Sequence, residues 1–160
     1  MFAFLNSRSI LCFAFLIGIG LSACQPEDES PGLWLSGNEN SSRVSDWHFT
    51  DDIQEILIET RTWYFLPHST TIWCVQFEGN LYLGSYGSEL KFWGKNIERN
   101  PQARLSINSD LYRVNVLRIQ DLASNQQISE VYSRKYDMEA EAVFGNEIPE
   151  WWFYRVDQTL

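Results

Sequence analysis

The stretch Lys91-Phe92-Trp93-Gly94-Lys95-Asn96-Ile97-Glu98-Arg99-Asn100-Pro101 runs directly into Ala103–Ile107, and the two together decide the fold. Leu90, Trp93 and Ile97 recur at helical spacing, and Ser88 stands where a side-chain N-cap is expected. Pro101 cannot continue a helix and pushes Asn100 into an extended conformation. Ala103–Ile107 then alternates apolar and polar residues, as a half-buried strand does. The pattern predicts a short amphipathic helix joining two parts of a small β-structure.

Both neighbours of this helix read as hairpins. Upstream, Thr71–Phe77 and Leu81–Ser85 flank the turn Glu78-Gly79-Asn80; downstream, Ala103–Ile107 and Leu111–Ile119 flank Asn108-Ser109-Asp110. Further out, Asp51 and Gln54 have capping-box spacing, and Ile53, Ile56 and Leu57 predict a helix to about Thr60. Arg61–Leu66 is a β-prone run that Pro67-His68-Ser69 breaks. Ser124 with Gln127 caps a helix carrying Ile128, Val131, Tyr132 and Lys135, which ends near Tyr136. Gly145–Pro149 reads as a loop and Trp151–Val156 as the last strand. Six short strands with few long crossovers predict a mainly β fold with helices: a six-stranded antiparallel barrel with helices over its openings.

The chain divides into three parts. Residues 1–23 read as a signal peptide, with Arg8 ahead of an apolar run, Ile10–Leu21, too short for a convincing span. Leu21-Ser22-Ala23-Cys24 resembles the bacterial lipobox, which predicts lipidation at Cys24 and a membrane held through a lipid anchor. Gln25 at the next position favours the outer membrane, so the expected address is the cell envelope, facing the periplasm. Residues 24–46 then form a tether in which Glu27-Asp28-Glu29 and the Ser/Asn stretch Ser36–Ser42 bury nothing. Gly32-Leu33-Trp34 matches the lipocalin G-x-W tripeptide but stands in this linker, without eight evenly spaced strands after it. Residues 47–160 make the folded domain.

All 21 acidic residues and 11 of the 12 basic ones follow residue 23, leaving a formal charge of about −10. Such a surface repels nucleic acid and anionic head groups. Cys12 leaves with the signal and Cys24 carries lipid, so Cys74 is alone, and its alternation with Ile72 and Gln76 reads as a small buried thiol. Two histidines, His48 and His68, and one free thiol offer no metal-site spacing. No Ser/His/Asp arrangement or nucleophile elbow is present, and Glu139 with Glu141 reads as solvated charge, so no catalytic side chain is assigned.

Thr70-Thr71-Ile72-Trp73-Cys74-Val75, Gly79-Asn80-Leu81-Tyr82-Leu83 and Trp93-x-Lys95-Asn96-Ile97-x-x-Asn100-Pro101-x-Ala103-x-Leu105 resemble the flavin-binding split barrels. This is the superfamily of pyridoxamine phosphate oxidases and deazaflavin-dependent nitroreductases; the likeness covers roughly residues 48–157. It implies a groove between barrel and helix that holds FMN or a related flavin or deazaflavin, a small flat ligand, commonly in a homodimer. Carried over by position, it points to His68, Thr70, Thr71, Tyr86, Gly87, Ser88, Lys91 and Lys95 as cofactor-binding residues. Trp73 or Trp93 then offers the ring a flat surface. Lys91 and Lys95 also fit a solvated helix face, and His68 a surface loop. Where deazaflavin reductases carry a basic, Gly-containing run, Arg61–His68 holds one Arg and one His. Two functions stay open: a membrane-anchored flavin-binding protein with oxidoreductase chemistry, and a non-catalytic envelope protein that kept the barrel and lost the cofactor.

Overall fold

The computed structural model describes residues 32–138 and 150–159. In chain order they form β1 (Asn38–Glu39), a 3-10 turn at His48–Thr50, β2 (Glu55–Arg61), β3 (Pro67–Phe77) and β4 (Asn80–Gly87). Then come α1 (Phe92–Ile97), β5 (Gln102–Ile107), β6 (Asp110–Arg118), α2 (Leu122–Lys135) and β7 (Glu150–Gln158). The signal segment, Cys24, Glu139, Glu141 and the loop Gly145–Pro149 lie outside the described residues.

Six strands close in the order β6-β5-β2-β3-β4-β7, because β7 pairs with β4 on one edge and β6 on the other. Every pairing around the ring is antiparallel, so the expected six-stranded antiparallel barrel is present. β7 takes Val114–Arg118 of the β6 edge, and β1 runs parallel beside Asp110 and Leu111, which β7 does not reach. Alternate residues fill the interior: Ile56 and Ile58, Leu81 and Leu83, Leu105 and Ile107, Val114 and Val116 are all buried. Each such side chain contributes roughly 1.5–3 kcal/mol through the apolar surface it removes from water.

The deciding helix is shorter than its pattern. Gly87, at φ +148°, turns the chain out of β4, and the Lys91 amide donates to Ser85 Oγ at 3.3 Å. Ser88 therefore caps nothing; α1 begins at Phe92, with Lys91 as its N-cap residue. Trp93 and Ile97 enter the core as expected. Asn96, fully buried, donates to Thr60 Oγ1 at 3.0 Å and accepts from Arg99 at 3.1 Å, which ties the helix to β2.

Five further expectations are corrected. The helix from Asp51 to Thr60 is instead β2, in which Ile56, Ile58 and Thr60 alternate inward. Pairing with β3 on one side and β5 on the other overrides a stripe that fits either period, and β-branched residues favour the strand. Arg61–Leu66 is a strand only at Arg61; residues 62–66 turn, closed by Thr62 N–H and Oγ1 donating to Leu66 O at 3.1 and 2.7 Å. Pro67-His68-Ser69 opens β3, since proline is tolerated as the first residue of a strand. Residues 32–39 are no free tether: Leu35 is buried, and Gly32 O accepts from Ser69 N and Oγ at 2.9 and 2.8 Å. At α2 the cap is Asp121, which accepts from Ser124 N at 2.8 Å, not Ser124 itself.

Candidate functional site

β3 is shared between two partners. Pro67–Trp73 pairs with β2 and Cys74–Phe77 with β4. Beyond Leu83, β4 leaves β3 and continues along β7 to Gly87. The first half of β3 and the second half of β4 therefore part, and a groove of about 520 Å³ opens between them. One lip carries His68, Thr70, Thr71, Ile72 and Trp73; the other carries Gly84, Ser85 and Tyr86; Lys91, Phe92 and Trp93 close one side, with Glu55 and Trp151 completing the lining.

The end of α2 holds the parting open. Tyr132 is buried, and its hydroxyl donates toward Trp73 O at 3.0 Å and Tyr82 O at 3.3 Å, one carbonyl on each diverging strand. One turn later, Tyr136 Oη accepts from Cys74 N at 3.0 Å and lies 2.8 Å from Cys74 O. Lys135 Nζ donates to Thr50 O, Ile53 O and Cys74 O at 3.0, 2.6 and 2.9 Å. Gly84 faces this wedge, and a Cβ there would stand 2.8 Å from the Trp151 ring and 3.0 Å from that of Tyr132. Only glycine lets strand and wedge approach this closely.

Five of the eight expected residues, His68, Thr70, Thr71, Tyr86 and Lys91, line this one groove. Gly87 and Ser88 lie beyond its lip in the turn toward α1, and Lys95 is tied to Glu89 at 3.3 Å. Lys91 is then the one Lys or Arg among the lining residues. α1 is six residues long and starts after Lys91. His68 Nδ1 is buried with no hydrogen-bond partner among the described residues, and its ring meets Phe92 edge-on at 5.0 Å. Burial holds the His68 imidazole below its usual pKa. An orphaned polar atom of this kind costs about 1–3 kcal/mol.

Trp73 is 41% exposed on the rim, with one face stacked on Tyr136 at 4.5 Å. Trp93, the other expected platform, belongs to the core, packed on Tyr154 at 5.2 Å. Trp151 faces Tyr86 at 4.8 Å and extends the aromatic wall. Inference from the sequence missed Tyr132, Tyr136 and Trp151; the i, i+4, i+8 spacing of Ile128, Tyr132 and Tyr136 was the available signal. Volume and aromatic walls fit a flat heteroaromatic ring, while one lysine suits a single anionic substituent. Among the described residues no three His, Cys, Asp or Glu side chains converge as a metal site.

Cys74 follows Trp73 in β3 and is fully buried, and burial pushes its thiol up to about 11. It therefore stays protonated and shielded at neutral pH. A disulfide reagent is expected to leave Cys74 unmodified in the native chain and to titrate it fully in denaturant, read by absorbance; rapid native reaction would contradict its burial.

A family model described as "Uncharacterized protein conserved in bacteria (DUF2255)" matches residues 49–150. No curated protein matches the chain in sequence. Several solved structures share the fold. A candidate pyridoxamine 5′-phosphate oxidase from Listeria innocua aligns with TM-score 0.51 and 17% identity over 67% of this chain and 85% of its own. A candidate 5-nitroimidazole antibiotic resistance protein from Bacteroides thetaiotaomicron gives 0.51 and 15%, over 84% and 90%. An F420-H2 dependent reductase gives 0.50 and 13%, over 66% and 95%. At these identities the likeness is one of fold, the split β-barrel.

Proposed function

The chain belongs to the DUF2255 family, and from that premise we propose that it binds a flat, flavin-type ring in the groove where β3 and β4 part. The carrying observation is the parting itself: two strand edges held apart by Tyr132, with Trp73, Tyr86 and Trp151 beside the gap. FMN or a related flavin would supply hydride or electron transfer when bound; no side-chain nucleophile is required. Trp73 and Trp151 would enclose the ring, His68 would border it, and Lys91 would meet its anionic substituent. Relatives of the same fold described as oxidases and reductases support an oxidoreductase. The reading includes a homodimer, as the superfamily resemblance implies, and anchoring through acylated Cys24 on the periplasmic face of the outer membrane.

The test uses the mature lipoprotein purified from its native envelope. Flavin absorbance bands are expected, or saturable quenching of tryptophan emission on adding FMN. Lys91→Ala, at an exposed position, is expected to weaken binding about tenfold, the worth of one charge-assisted bond. Absence of both signals would overturn the proposal. A second reading has its own support: Lys91 alone serves any phosphate, which suits an envelope module that no longer holds the cofactor.

A further inference from the structure

We propose that the β2–β3 turn is a membrane-docking tip, whose Trp63, Tyr64, Phe65 and Leu66 enter the head-group layer of the bilayer to which the chain is anchored. The inference rests on acylation of Cys24 and is independent of what the groove binds. Trp63 is 69% exposed and Phe65 79%, with Tyr64 and Leu66 exposed between and beside them. Trp34, 63% exposed, shares a second groove with Phe65 and Leu66 and so belongs to the same patch. Aromatic side chains with one polar end are favoured at the boundary between water and acyl chains.

The tip is built, not loose. Thr62 closes it by two hydrogen bonds to Leu66 O, and Phe65 N donates to Thr62 O at 3.1 Å. Trp63 and Tyr64 meet edge to face at 5.2 Å. Phe65 sits at φ +68°, a conformation that glycine adopts without strain and a bulky aromatic does not. A folding requirement would place glycine there; an exposed phenylalanine answers to something outside the barrel.

Charge points the same way. The run from Arg61 to Thr71 contains no acidic residue, in a chain with 21 of them and a net charge of −9. The groove under the tip carries Arg61, Arg104 and Arg113, with Glu59 in its lining and Glu39 bonded to Arg104 and Arg113. This face can approach phosphate head groups that the rest of the surface repels. The chain also enters the fold here. Ser69, two residues past Pro67, holds Gly32 O through its amide and hydroxyl. Cys24 lies eight Cα steps before Gly32, at most about 29 Å when fully extended, so the acyl chains and the tip address one bilayer.

The test places nitroxide labels on the full, acylated chain in phosphatidylethanolamine/phosphatidylglycerol vesicles. One label goes on Phe65→Cys and one on Glu78→Cys. The second is an exposed, positive-φ position at the far end of β3, and Cys74 is too buried to label. At residue 65, collisions with oxygen are expected to outnumber those with a water-soluble nickel chelate, and at residue 78 the order is expected to invert. Equal, aqueous behaviour at both positions would overturn the proposal. Shielding of residue 65 from both reagents would overturn it in favour of a second copy of the chain covering the tip. A chain that does not float with the vesicles would remove anchor and docking together, while leaving the FMN titration unaffected.

Discussion

Tyr132→Ala is expected to lower the unfolding free energy by about 3–5 kcal/mol, the cost of deleting a large buried aromatic that cannot be refilled. Tyr132 packs against Phe153 at 5.2 Å, Trp151 at 5.3 Å and Tyr136 at 5.6 Å, and together with Ile128 and Val75 forms a core separate from the barrel interior. Its hydroxyl adds a second loss, because Trp73 O and Tyr82 O are left without their common donor. Tyr132→Phe isolates that part and is expected to cost about 1–2 kcal/mol. Urea unfolding with an unchanged m-value measures both. A loss below about 1 kcal/mol for the alanine variant would show that α2 does not brace the parted strands.

Arg104→Ala is expected to cost about 2–3 kcal/mol and to release residues 32–39 from the barrel. Arg104 Nε and Nη2 donate to the two Glu59 carboxylate oxygens at 2.9 and 2.6 Å, a forked contact between β5 and β2. The same pair clips the N-terminal segment: Leu35 N donates to Glu59 Oε2 at 2.7 Å and Leu35 O accepts from Arg104 Nη2 at 3.1 Å. The Glu59 side chain is 11% exposed and that of Arg104 24%, so removing one partner strands a largely desolvated charge. Residual exposure keeps the loss below that of a fully buried pair. Glu59→Leu with Arg104→Met should recover most of the stability while leaving Leu35 unclipped. Hydrogen exchange at Leu35 and Asn38 is expected to accelerate in Arg104→Ala; unchanged protection there would contradict the clip.

The parts of the fold that local chemistry determines were legible. Pro101 keeps the chain after α1 from running on as helix into β5, and the turns at Gly79 and Ser109 set two hairpins whose alternation matches their burial. β2 was misread because Ile53, Ile56 and Leu57 fit a helical stripe, while pairing on both sides by distant strands decides for a strand. The same limit applies at the site. His68, Thr70, Thr71 and Lys91, which the family resemblance pointed to by position, line one groove, the first three on the β3 lip and Lys91 as the N-cap residue of α1. Tyr132 escaped because its role exists only once α2 docks across β3 and β4, contacts 50 and 59 positions away in sequence. Trp73 and Trp93 are alike in sequence, yet only the first reaches the rim, since Trp93 shares the inward face of α1 with Ile97.

The most direct test of the groove maps amide chemical shifts of the chain as FMN is added. Shifts are expected on both parted lips, at residues 68–73 and 84–86, and at the start of α1, residues 91–93, with the second groove around Phe65 and Arg104 unmoved. No shift at saturating FMN, or shifts confined to that second groove, would contradict the assignment of the parted strands as the ligand site.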